Sequence, residues 1–178
     1  GARNTLKIQQ KSLEQKIQER TQRLYQNKIE LETAIEDQKA IALQLLETKR
    51  LLQTMINSVP DILVGISADE KVTYWNTAAF EKTGLSFDKA LGAHIFTALP
   101  QLPITQKQLA YIIQNEQPFI NQRIQHTEND EQQFYDLRIY PLMGAQNSGA
   151  VIQLKNVTKQ VHVENMMIQN EKMSSLGE

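Results

Sequence analysis

The chain has 178 residues, of which 40% are hydrophobic and 22% charged, with a formal net charge of −1; this is enough for one modest core and an extension. Charge divides as +3 over residues 1–56, −3 over 57–158 and −1 over 159–178, too mild for the concentrated basic face that phosphate backbones require, so no nucleic-acid partner is expected. With no cysteine present, disulfides, thiolate metal sites and cysteine nucleophiles are excluded, and no apolar run reaches the ~18 residues of a membrane span.

Residues 5 to 57 contain neither proline nor glycine and are rich in Gln, Glu, Lys and Leu, which predicts one uninterrupted helix. With Ile17 at heptad position a, five of seven a positions are apolar (Ile17, Leu24, Leu31, Leu45, Leu52), as are five of eight d positions (Leu6, Leu13, Ala34, Ile41, Met55). A seam sustained over seven heptads is that of a coiled coil. A lone helix cannot bury its own stripe, so the expected partner is a second copy in a parallel homodimer. Arg20, Asn27, Gln38 and Thr48 interrupt the seam. They either limit its strength and strand number or let the helices rotate to carry a signal.

Pro60 disfavours helix at Val59 and sets a domain boundary at Asn57. Ile62 to Ser67 alternates with Ile62, Val64 and Ile66 on one face; Ala68 to Glu70 turns the chain into a second strand, Lys71 to Trp75. Asn76 stands where an N-cap is wanted ahead of a short helix, Thr77 to Lys82, which Gly84 closes. Short helical turns follow at Ser86 to Lys89 and Ile95 to Leu99. A clearer helix spans Thr105 to Asn115, with Leu109, Ile112 and Ile113 inward. Three strands come next: Phe119 to His126, Gln133 to Leu142 after a polar turn at Thr127 to Gln132, and Gly149 to Val157 after a loop at Met143 to Ser148. Lys159 to Glu178 reads as a final helix, in which His162, Met166, Gln169, Met173 and Leu176 continue a seam.

Two strands, several short helices and three strands make one antiparallel sheet with the helices on one face, an α+β arrangement. The order, together with Val59-Pro60-Asp61, Asp69-Glu70, Tyr74-Trp75-Asn76 with Ala79-Phe80, Thr83-Gly84-Leu85-Ser86, Leu91-Gly92 and Asn156-Val157-Thr158, resembles a PAS domain over residues 52 to 158. The expected architecture is therefore a coiled-coil helix (1–56), a PAS-like five-stranded sheet domain (57–158) and an output helix (159–178). By that resemblance Asn156, Val157 and Thr158 couple the last strand to the output helix. The family usually has Asp where this chain has Asn156, so an ion pair is not expected from that position.

Leu13 to Leu24 is similar to the linker helices of bacterial sensor histidine kinases, and Glu171 to Glu178 resembles the run-in to their phosphoacceptor helix. The resemblance implies the relay portion of a two-component kinase, ending before the histidine that takes phosphate. This stretch would itself be no enzyme. ATP and Mg would belong to the parent's kinase core, through which a response regulator would be the partner. The portion would be cytoplasmic, with any membrane attachment coming from an upstream anchor. The dimer seam would consist of Leu13, Ile17, Leu24, Leu31, Ile41, Leu45, Leu52, Met166, Met173 and Leu176. Two other readings stand beside this one: a PAS spacer without ligand, and another output such as a diguanylate cyclase.

PAS domains hold haem, flavin or small metabolites. Haem needs an axial ligand, which the Thr105 to Asn115 helix lacks, and the photochemical flavin site needs a cysteine. Trp75, Phe80, Phe96, Tyr111 and Tyr135 are the candidate lining of a pocket for an unknown small ligand, and equally read as plain core. His94, His126 and His162 share no metal spacing, so no metal is expected. No cofactor is evident from the sequence.

Overall fold

The computed structural model describes residues 1–128, 131–144 and 148–177. It divides into two compact units, Gly1–Leu52 and Gln53–Glu178.

The first unit is helix alone. Helix α1 runs from Ala2 to Asn57, 56 residues, about 84 Å at 1.5 Å per residue. Side chains one turn apart pair along it: Gln10 donates to Glu14 (3.3 Å), Gln15 to Glu19 (3.2 Å), and Lys28 lies 3.8 Å from Glu32. Such exposed pairs contribute only about 0.2–0.5 kcal/mol each. No residue of α1 is buried, so packing within the single chain does not hold this helix.

The second unit takes in the last turn of α1 and the sheet domain. Strands β1 (Ile62–Ser67), β2 (Val72–Trp75), β3 (Phe119–Glu128), β4 (Glu131–Leu142) and β5 (Gly149–Asn156) form one antiparallel sheet in the order β2-β1-β5-β4-β3. Between β2 and β3 lie α2 (Thr77–Thr83), α3 (Phe87–Ala90), α4 (Ile95–Ala98) and α5 (Gln106–Asn115); α6 (Thr158–Leu176) follows β5. The expected α+β architecture is what forms. On β4 the alternation buries Tyr135, Leu137 and Ile139, and these meet Val64, Ile66, Ile95, Leu109 and Ile152 in one core.

Local chemistry fixes the element ends. The Asn76 side chain accepts from the Ala79 amide at the start of α2, and Gly84, at φ 70°, closes that helix by donating to the Phe80 carbonyl. Thr105 and Gln108 form a reciprocal capping box at α5. Gly149 has no freedom to be anything larger, because a Cβ there would run into the carbonyl of Ile66 on β1.

Some boundaries differ from the sequence reading. Lys71 is not in β2; it makes a lone bridge to His94. Thr127 and Gln132, expected in a turn, pair with each other, and Glu128 pairs with Glu131. Polar side chains on a solvent-facing hairpin resemble a turn in composition while the backbone ladder continues. Within the expected loop Met143 to Ser148, residues 145–147 lie outside the described residues.

Candidate functional site

The chain comes into the sheet domain and leaves it on neighbouring strands. Ile62, the first residue of β1, is the Cα partner of Leu154 on β5, two residues before that strand ends. The two joints on either side of this pairing are the candidate site.

At the incoming joint, Asn57 ends α1, and its Oδ1 accepts from the Tyr74 hydroxyl and from the Thr77 amide, both at 3.3 Å. Heptad numbering puts Asn57 at f and Gln53 at b, on the opposite side of the helix from the seam positions a and d. Asp61 then closes the joint. Its Oδ2 accepts from Gln153 Nε2 of β5 at 2.8 Å, and its carbonyl accepts from Asn76 Nδ2 at 2.9 Å. Asn76 is almost fully buried and both of its side-chain polar atoms are paired, since Oδ1 accepts from the amides of Leu63 and Ala79, each at 3.0 Å. A buried amide side chain is stable only when its polar atoms are paired in this way.

At the outgoing joint, Val157 is buried and donates its amide to the Phe134 carbonyl at 2.8 Å. Thr158 Oγ1 accepts from the Phe134 amide at 2.9 Å, so two successive residues are fastened to β4. Asn156 Oδ1 accepts from the Thr158 amide (3.0 Å), and its Nδ2 donates to Gln133 (2.9 Å). Asn156 therefore lies one residue ahead of the N-cap, which is Val157. The ion pair missing from Asn156 occurs elsewhere: Arg123 Nη2 lies 2.6 Å from Glu164 Oε2 on α6. Arg123 sits at φ 55° within an irregularity of the β3–β4 register, and its amide donates to Asp136. Val161 is buried, and His162 packs edge-on to Phe134 at 6.4 Å. His162 thus faces its own sheet, although the seam was expected to include it.

Of the sequence-stated pocket residues, Trp75 and Tyr135 are buried and Phe96 is half-buried against the core, whereas Phe80 and Tyr111 are 47% and 64% exposed. The structure does not bring the five around one cavity. Trp75 and Phe80 border one groove, Tyr111 another beside Pro118, and Tyr135 a slot with Ile62, Leu99, Ile124 and Leu154. That slot encloses 20 Å³, room for about one water.

The seam residues Leu13, Ile17, Leu24, Leu31, Ile41, Leu45 and Leu52, with Met166, Met173 and Leu176, are all exposed on the single chain. A third cluster went unread in the sequence. The buried Glu70 carboxylate accepts from Gln106 Nε2 at 2.9 Å and lies 3.0 Å from His94 Nε2, bringing the β1–β2 turn to the starts of α4 and α5. Among the described residues no three His, Asp or Glu side chains converge to hold a metal, and no helix is long and apolar enough to cross a membrane.

A five-stranded antiparallel sheet with short helices between its second and third strands, preceded by α1 and followed by α6, defines an α+β domain. The chain belongs to the PAS fold family, whose sequence profile matches residues 56–162. The structure is similar to the PAS domain of an HTR-like protein from Haloarcula marismortui (13% identity, 66% of this chain and 98% of that one, TM-score 0.52). It is also similar to the PAS domain of Bordetella pertussis BvgS (11% identity, 71% and 98%, TM-score 0.51) and to that of the histidine kinase ThkA (20% identity, 53% and 98%, TM-score 0.45). At these identities the likeness is one of fold. No curated protein sequence matches the chain.

Proposed function

We propose that this chain is the relay portion of a bacterial sensor histidine kinase, working as a parallel homodimer that passes a shift of its leading helices through the PAS domain to α6. The observation that carries this reading is α1: 56 residues, none of them buried, with an apolar heptad seam that only another helix can cover. The last turn of α1 is fastened at Asn57, an f position, which leaves the seam side to a partner. ATP, Mg and the response regulator belong to the parent's kinase core, and the parent is an inner-membrane protein with this portion in the cytoplasm.

Within this frame, motion arriving through α1 is favoured over a ligand between sheet and helices. Val64, Ile95, Leu109, Leu137, Ile139 and Ile152 fill that space with essentially no exposure. The relay then needs two arrangements of the helix pair, each compatible with the same folded domain.

The test uses the absence of native cysteine. Leu24→Cys and, separately, Leu31→Cys are oxidised under mild conditions. In a parallel seam equal positions face each other within disulfide reach, so each single variant crosslinks to a covalent dimer. Failure of both to crosslink, with sedimentation giving only monomer, would overturn the proposal.

A further inference from the structure

A groove of 520 Å³ lies beside the incoming joint, bordered by Asn57, Tyr74, Trp75, Phe80, Phe87 and Asp88 among others. Its volume falls in the range of about 300–1,000 Å³ usual for small-molecule sites. Its walls are set before any ligand arrives. The Tyr74 hydroxyl is held by Asn57, the Trp75 indole N–H by the Leu85 carbonyl at 2.9 Å, and the Asn76 side chain by Asp61, Leu63 and Ala79. With these polar atoms turned to internal partners, the groove offers ring surface to a visitor.

Phe80 of α2 and Phe87 of α3 are 47% and 42% exposed, so both rings present apolar surface at the groove. Among the described residues that border the groove, Asp88 is the one with a formal charge, and it is negative. No lysine, arginine or histidine is among them. Aromatic rings grouped around an open space, with one carboxylate and no cation, match a positively charged organic group: the ring faces attract it by their quadrupoles and the carboxylate by its charge.

We propose that this groove is a binding site for a small alkylated ammonium ion, with Tyr74, Phe80 and Phe87 as its aromatic walls, Trp75 as its floor and Asp88 as its counter-charge. The site stands independently of the relay reading, since it requires neither a dimer nor a kinase. A bound cation would lie against the Asn57–Tyr74 contact that fastens the end of α1.

The test is direct because Trp75 is the chain's single tryptophan, so its fluorescence reports on this groove. Choline is titrated into the whole protein to millimolar concentration, with 3,3-dimethylbutanol as the neutral probe of the same shape and calorimetry as a second readout. The expected result is saturable binding of choline, with the neutral probe about two- to fivefold weaker, as loss of a cation–π contact at an open site implies. Phe87→Ala and Asp88→Asn each weaken choline by a similar factor. Both positions are at the surface, and unchanged thermal unfolding establishes that the variants remain folded. Phe80→Ala serves in place of Phe87→Ala if that variant does not fold. Absence of saturable choline binding, equal affinity for the neutral probe, or folded variants that bind as the parent does would each overturn the assignment.

Discussion

Asp61 and Gln153, 92 residues apart in sequence, are joined by a 2.8 Å hydrogen bond between a carboxylate oxygen and a side-chain amide. The bond links the segment that follows α1 to the strand that precedes α6. It is a lateral tie across the β1–β5 pairing, close to both joints.

Removing that tie lowers stability and loosens the link. A hydrogen bond to a charged group contributes about 1.5–3 kcal/mol, so Gln153→Ala is expected to lose stability within that range in urea denaturation. A double-mutant cycle with Asp61→Ala, which removes the acceptor, yields a positive coupling energy. Strict additivity of the two substitutions would show that the contact carries no energy of its own.

Asn76 is the more sensitive position. Asn76→Ala leaves the Leu63 and Ala79 amides without their side-chain acceptor, at about 1–3 kcal/mol for each buried group left unpaired. Of the polar substitutions discussed, it should give the largest drop in melting temperature. A loss below that of Gln153→Ala would contradict the network described.

The Arg123–Glu164 pair is expected to contribute little to stability. Both side chains are well exposed, 61% and 36%, and such pairs are worth about 0–1 kcal/mol. Arg123→Gly removes the pair but relieves the φ of 55°, which only glycine adopts without strain. The net change should be near zero in denaturation, while hydrogen exchange in the first turns of α6 speeds up. Unaltered exchange there would mean that the pair does not hold the helix.

Burial raises the pKa of the Tyr74 hydroxyl above its ordinary value of 10.0. A group whose folded pKa is raised contributes stability that is complete below the unfolded pKa and is lost as pH rises through the folded one. The protein should therefore lose stability above about pH 10, and Tyr74→Phe should flatten that part of the profile. An identical alkaline decline in the variant would place its source elsewhere.

Asn27 at a d position is a polar interruption of the α1 seam. Asn27→Leu is expected to raise the melting temperature of the proposed dimer and to weaken its preference for two strands, which sedimentation velocity can follow. A variant that melts like its parent would remove Asn27 from the seam.

What the sequence made legible is local. The helix of residues 5 to 57 follows from propensity, α2 and α5 from Asn76, Gly84 and Thr105, and the strands from alternation at Ile62, Val64, Ile66 and at Tyr135, Leu137, Ile139. The illegible parts are contacts between distant polar residues. Glu70 meets Gln106 across 36 positions and Arg123 meets Glu164 across 41; neither pair has a periodicity to announce it. Both Glu70 and Arg123 have positive φ, at 60° and 55°, a conformation that tertiary packing imposes against residue preference. The aromatic residues could not be sorted for a related reason. A ring in a small domain is apolar wherever it lies, so composition did not separate the buried Trp75 and Tyr135 from the exposed Phe80 and Tyr111.

The adjacency of β1 and β5 makes the domain a cassette. Because its first and last segments run on hydrogen-bonded neighbouring strands, the points to which adjoining segments are stitched lie side by side. Chimaeras grafted at Asn57 and Val157 therefore have one short gap to match, and the incoming lobe must supply counterparts of Tyr74, Thr77 and Phe134 to hold those two residues.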